Sequence, residues 1–195
     1  DATGSMGDEI SYLQAELNDV ITKVKDSLPS STLNLASVFY RDSTDEYVTK
    51  MSAFSDDVSQ TLNFIQAQNA GGGGDYPEAM DDAVDVAINQ LEWSKNAQAR
   101  LLFLVLDAPP HHSEEKLARL EKLIKQAAQK GIRIIPVAGS GIDKSTEYLM
   151  RCIALATNGT YVFLTDDSGI GGSHIKPTTD EFKVELLNDL LLIAV

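Results

Sequence analysis

A parallel α/β sheet with right-handed crossovers is the fold class this sequence predicts, and three observations predict it. Arg100 to Leu106 is an almost unbroken apolar run of strand length, as expected of a central strand covered on both faces. Helical spacings of apolar residues alternate with short strand patterns along the remainder of the chain. The acid that follows the apolar run, Asp107, falls where open α/β sheets place their ligand sites, beyond the carboxyl end of a strand.

The elements follow in order. Ile10, Leu13, Leu17, Val20, Ile21, Val24 and Leu28 recur every three or four residues, which predicts a helix from Glu9 to about Leu28, ended by Pro29. Leu33 to Tyr40 and Glu46 to Phe54 predict two strands joined by the Arg41 to Asp45 turn, a hairpin at one sheet edge. Val58, Leu62, Phe64 and Ile65 suggest a short helix. Gly71 to Gly74 is either a flexible linker or a backbone that must approach something closely, and Pro77 with Met80, Ala83, Val84, Ala87, Ile88 and Leu91 predicts the helix after it. Asp75 is read first as the N-cap of that helix. Trp93, just past the helix, is expected to be a packing anchor. After the central strand come a helix from Glu114 to Lys130, a strand from Ile132 to Ala138, a helix near Ser145 to Thr157, a strand from Thr160 to Thr165 and a last helix from Asp180 to Val195. Gly131 and Gly159 stand where left-handed helix caps are wanted. Asp166 to His174 is a polar loop at the sheet end that carries the acids.

Composition narrows the function classes. The 195 residues, 43% hydrophobic and 23% charged, make one globular domain with no internal repeat. Sixteen basic against 29 acidic side chains leave a net charge of −13, which argues against nucleic acid and raises the local concentration of divalent cations. No apolar stretch of about 18 residues marks a membrane span. The single Cys152, in an apolar segment, is expected to be a small buried hydrophobe. A loop like the opening one normally follows a buried strand, and the chain stops in the apolar Leu190 to Val195, so the reading is a single domain over 1–195 cut from a longer protein, without its leading strand and with its last helix shortened.

Asp1-Ala2-Thr3-Gly4-Ser5-Met6 carries the chemistry. Asp1, Thr3 and Ser5 can project three oxygens toward one point, and oxygen-only ligands suit hard cations, Mg²⁺ first and then Mn²⁺ or Ca²⁺. The same string also fits a helix N-cap in a loop. Combined with Gly-Gly-Gly-Asp-Tyr-Pro-Glu-Ala around Asp75 and Leu-Asp-Ala-Pro-Pro-His around Asp107, it resembles the von Willebrand factor type A (vWA) domain with its metal-ion-dependent adhesion site. The resemblance spans essentially the whole chain, and points to a branch with relatives fused to atypical kinase domains.

That resemblance implies a Rossmann-like, doubly wound, mostly parallel sheet with one antiparallel edge strand and helices on both faces. It implies metal contacts from Asp1, Thr3, Ser5 and Asp107, with Asp75 offered in the second loop where adhesive members usually supply Thr. Met6, Tyr76, His111 and His112 would then rim a partner-binding surface. The implied function is metal-dependent protein binding, in which an acidic residue of a protein ligand completes the cation's shell. An extracellular or cell-surface setting goes with the family, although the sequence leaves the compartment open.

Other readings compete. Asp107, His111 and His112 could serve a metal-dependent hydrolase or phosphoryl-transfer enzyme. Against an enzyme, no second His or Glu cluster offers a general base, no Gly-x-Ser-x-Gly elbow occurs, and Cys152 lacks an activating neighbour. Nucleotide binding at the glycine run lacks the Lys-Ser/Thr of a P-loop. A structural module, in which the metal only pins three loops, is the remaining alternative.

Overall fold

The computed structural model describes residues 1–139 and 141–164. One 3-10 turn, Gly4–Met6, runs straight into α1 (Gly7–Ser27), where Ile10, Val20, Ile21 and Val24 are buried on the face their spacing predicts. Asp8 and Glu9 in its first turn and Lys25 in its last oppose the helix dipole with the favourable signs. The hairpin forms as β1 (Leu35–Tyr40) and β2 (Thr49–Ser55), antiparallel, with Tyr40 opposite Thr49. Next is α2 (Val58–Gln66), capped by the Asp57 carboxylate on the Ser59 N–H. After the glycine run, α3 (Met80–Asp85) passes into a π-helical stretch, Val86–Gln90. Trp93 does anchor this end, donating from Nε1 to the Ala87 carbonyl at 2.7 Å and packing edge-on against Phe54.

The apolar run is β3 (Arg100–Leu106), followed by α4 (Glu114–Gln129), β4 (Ile132–Ala138), α5 (Lys144–Ala156) and the short β5 (Val162–Phe163). Strands β3, β4 and β5 pair in parallel in that order, with Leu102 level with Ile134 and Leu104 with Pro136. Both α4 and α5 start on side-chain caps, Ser113 on the Lys116 N–H and Asp143 on the Thr146 N–H.

Along β3 the pleat divides two cores. Leu104 and Leu106 join Met80, Val84, Leu120, Ile134 and Met150, whereas Val105 faces Ala2, Met6, Ile10, Phe39 and Ile65. Between the hairpin and the parallel sheet lie the first two residues. The Asp1 amino nitrogen donates to the Val105 carbonyl at 2.9 Å, and the Ala2 N–H to the Tyr40 carbonyl at 2.8 Å. Asp1 and Ala2 thereby stitch the two sheets at the ends that carry the acidic loops.

Several expectations need correction. Cys152 is exposed, because α5 buries Met150, Ile153 and Ala154 and turns position 152 outward. Gly131 takes the left-handed conformation with φ 67°, but at the end of α5 it is Asn158, φ 55°, that does so. Gly159 is needed for closeness instead: a β-carbon there would lie 1.9 Å from the Ile134 carbonyl oxygen. The Asp166 to His174 loop, Thr165 and the Asp180 to Val195 helix lie outside the described residues.

Candidate functional site

Three loops meet where the sheets are stitched. In the first, the Asp1 carboxylate accepts from both the Thr3 N–H and the Thr3 hydroxyl at 2.9 Å, and Thr3 Oγ1 lies 3.5 Å from Ser5 Oγ. In the third, Asp107 follows β3 directly and is buried, with the Ser5 side chain beside it in the cavity lining. Burial raises Asp107 above the usual carboxylate value, and the nearby Ser5 only partly offsets this. The opening turn and the acid beyond the central strand, 106 positions apart in sequence, are therefore one site.

The glycine run resolves as close approach. Gly4 donates to the Gly72 carbonyl at 3.3 Å and Gly71 to the Ala2 carbonyl at 3.1 Å, which ties the second loop to the first. Gly73, at φ 79°, donates to the Asp45 carboxylate, and a β-carbon on it would stand 3.2 Å from Thr3 Cβ and 3.4 Å from Glu78 Oε1.

Asp75 does not cap the helix. The helix begins only at Met80 with Ala79 as its N-cap, because Glu78 is held extended, bridged in parallel to Pro110 with its N–H on the Pro109 carbonyl at 2.9 Å. Asp75 sits exposed at the mouth of the site. The second-loop carboxylate that points inward is Glu78, 3% exposed and pushed up to about 7, first by burial and then by the charges of Asp42, Asp45, Asp107 and Asp75. Sequence reasoning missed it. Pro77 keeps Tyr76 out of the helical region but carries no signal that the loop runs on past Glu78.

Together these loops line an open cavity of about 710 Å³, whose charged lining side chains, among the described residues, are the acids Asp75, Glu78 and Asp107. Two buried carboxylate oxygens of its lining residues have no hydrogen-bond partner, Glu78 Oε2 and Asp107 Oδ1, and Asp1 Oδ2 in the first loop has none either. A fourth loop, also unforeseen, closes one side. Gly139 donates to the Leu106 carbonyl at 2.7 Å and sits against Glu9 and Asp107, and the Tyr76 hydroxyl donates across the mouth to the Gly141 carbonyl at 2.8 Å.

The expected rim divides. Tyr76 and His112 are exposed, as a rim requires. Met6 is not a rim residue: it is 1% exposed, turned inward by the 3-10 turn to pack with Ala2, Ile10, Phe39 and Ile65. His111 is engaged by Asp42, with Nε2 2.6 Å from Oδ1. Burial would raise Asp42, but hydrogen bonds from His111 and Ser43 outweigh it and hold the carboxyl below its ordinary value. Behind the site, Lys116 and Arg119 of α4 bind the buried Asp81, together with Asp82 and, from Arg119, Asp85, and so lock the start of α3 to the helix that follows the third loop.

Chemically, the set combines two hydroxyls with three carboxylates, hard oxygen donors that suit Mg²⁺, Mn²⁺ or Ca²⁺. Among the described residues no three His, Cys, Asp or Glu side chains form a group that could by itself hold a metal ion.

Comparison with known proteins agrees with this architecture. A family model described as "von Willebrand factor A domain" matches residues 1–175. A putative ariadne-like RING finger protein of Acanthamoeba polyphaga mimivirus is 28% identical over 163 residues, 84% of this chain. The chain spans 14% of that relative's length.

Proposed function

Because the chain belongs to the von Willebrand factor A domain family, we propose that it is a protein-interaction module whose contact depends on a divalent cation held by Asp1, Thr3, Ser5, Glu78 and Asp107. The observation that carries this reading is that Glu78 Oε2 and Asp107 Oδ1, buried and without hydrogen-bond partners, belong to residues that line one cavity together with Thr3 and Ser5, while Asp1, which holds Thr3, keeps Oδ2 unpartnered as well. A buried polar atom left unmade costs about 1–3 kcal/mol, more when charged, and a cation in the cavity would relieve Glu78 and Asp107 together. Mg²⁺ fits first, with Mn²⁺ or Ca²⁺ as substitutes. Glu78 takes the place first given to Asp75, which stays at the mouth and adds negative potential there.

The bound ion would supply a positive centre for a carboxylate of the partner protein. Glu78, where adhesive relatives are expected to carry Thr, adds a charge that holds the cation more firmly and weakens its pull on an incoming acid. A binding role is preferred to hydrolysis or phosphoryl transfer because His111, the nearest base in sequence, is committed to Asp42, and the described cavity lining carries no histidine. Among the described residues no helix is long and apolar enough to cross a membrane.

The test is partner capture in Mg²⁺ against the same capture in chelator, with Ser5→Ala alongside. Loss of capture in both is expected. Capture that survives chelation refutes the reading, and a large fall in melting temperature with capture intact assigns the cation a purely structural role.

A further inference from the structure

The turn between β1 and β2, residues 41–45, reaches all three loops of the site. Arg41 follows β1 directly, and its side chain is only 12% exposed. Its Nε donates to the Ala2 carbonyl at 3.2 Å, the same oxygen that accepts the Gly71 N–H at 3.1 Å, and its Nη2 donates to the Asn69 carbonyl at 2.9 Å. The guanidinium lies against Gly71, where a β-carbon would come within 3.2 Å of Nη2, and its Cζ stands 4.6 Å from the centre of the Tyr47 ring. One planar fork thus joins the residue between Asp1 and Thr3 to the start of the glycine run.

Asp45, at the other end of the turn, holds the middle of that run. Its carboxylate accepts the Asp42 N–H at 3.0 Å and the Gly73 N–H at 3.0 and 3.1 Å, and it leaves no room for a β-carbon on Gly72. Gly73 is the glycine that lies against both Thr3 and Glu78. Asp42 completes the set by holding His111, four positions beyond Asp107.

We propose that Arg41 and Asp45 are positioning residues of the cation site, which set the second loop against the first and so fix the separation of Glu78 from Asp1 and Thr3. This inference rests on the cation reading above. Neither residue is needed as a ligand: Arg41 offers no side-chain oxygen, and the Asp45 carboxylate is turned onto backbone N–H groups. Groups that orient metal ligands change affinity about 10- to 100-fold when removed, and these two act through the backbone, so the lower end applies.

The experiment measures Mg²⁺ affinity by titration calorimetry and Mn²⁺ coordination by paramagnetic resonance in Arg41→Lys, Asp45→Ala and Asp45→Asn, with thermal melting in chelator as the control for folding. Arg41→Lys keeps the charge but not the fork, and Asp45→Ala removes the hold on Gly73; each is expected to bind about 10-fold more weakly and to alter the Mn²⁺ spectrum. Asp45→Asn loses the charge but keeps an oxygen for the Gly73 N–H, and should stay within about threefold of the wild type. A turn that only stabilised the fold would lower the melting temperature and leave the affinity of the folded protein unchanged. Wild-type affinity in Arg41→Lys or in folded Asp45→Ala therefore sinks this inference and leaves the cation reading intact. Asp45→Asn binding as weakly as Asp45→Ala also sinks it, because charge rather than the grip on Gly73 would then set affinity. If Asp45→Ala does not fold in chelator, Arg41→Lys decides alone. If the wild-type protein binds neither ion, the cation reading falls and this inference falls with it.

Discussion

Replacing Glu78 with Gln separates the cost of a buried charge from its use. Without metal, the Glu78 carboxyl is pushed from 4.5 to about 7, and at about 1.4 kcal/mol per pH unit its ionised form costs the fold about 3 kcal/mol. The folded value lies above the unfolded one, so the stabilisation from protonation is complete below pH 4.5 and is lost as pH rises through 7. At about pH 8 in chelator, Gln keeps the side chain's size and removes the charge. The variant should gain about 2–3 kcal/mol, which for a chain of this length is roughly 5–10 °C in melting temperature. Mg²⁺ at a hundredfold excess over its dissociation constant returns about 2.7 kcal/mol to the wild type, and much less to a variant that has lost a ligand. Scanning calorimetry should therefore show the variant melting higher in chelator, and the wild type drawing level or passing it in Mg²⁺. Near pH 5 in chelator the difference should shrink. A variant that melts below the wild type in chelator, or an equal Mg²⁺ shift in both proteins, refutes the reasoning.

Other substitutions probe the frame around the site. Asp75→Asn, at the exposed mouth, should change Mg²⁺ affinity less than Glu78→Gln by titration calorimetry and stability by under about 0.5 kcal/mol; an equal or larger affinity loss returns the ligand role to Asp75. Lys116→Met with Arg119→Met removes both cations bound to Asp81, itself 1% exposed, and should cost about 3 kcal/mol in urea denaturation, the lower end for a broken buried pair because both cations are a third exposed. Gly159→Ala places a β-carbon 1.9 Å from the Ile134 carbonyl oxygen and should cost about 2–4 kcal/mol, while Gly74→Ala, with nothing within 4 Å, should fall within about 0.5 kcal/mol in the same assay.

Most of the architecture was legible because hydrophobic period and strand composition are local. The apolar run at β3 and the three-and-four spacing in α1 each named an element to within a few residues. The first and third loops were legible too, since Asp1, Thr3 and Ser5 precede a helix and Asp107 ends a strand. The second loop was not. Whether Asp75 or Glu78 turns inward depends on the bridge from Glu78 to Pro110, a pairing across 32 positions that no local pattern encodes. Met6 and Cys152 misled in opposite directions for a related reason. Each lies on a helical turn whose buried side is chosen by the partner it packs against, and an apolar neighbourhood in sequence does not reveal that choice.

The Glu78 N–H is clasped on the Pro109 carbonyl, two positions beyond Asp107, and the Asp1 amino nitrogen on the Val105 carbonyl, two positions before it. Both outlying acids thus hang from the end of one strand, so a shift of that strand end carries all three together rather than prising one away from the others.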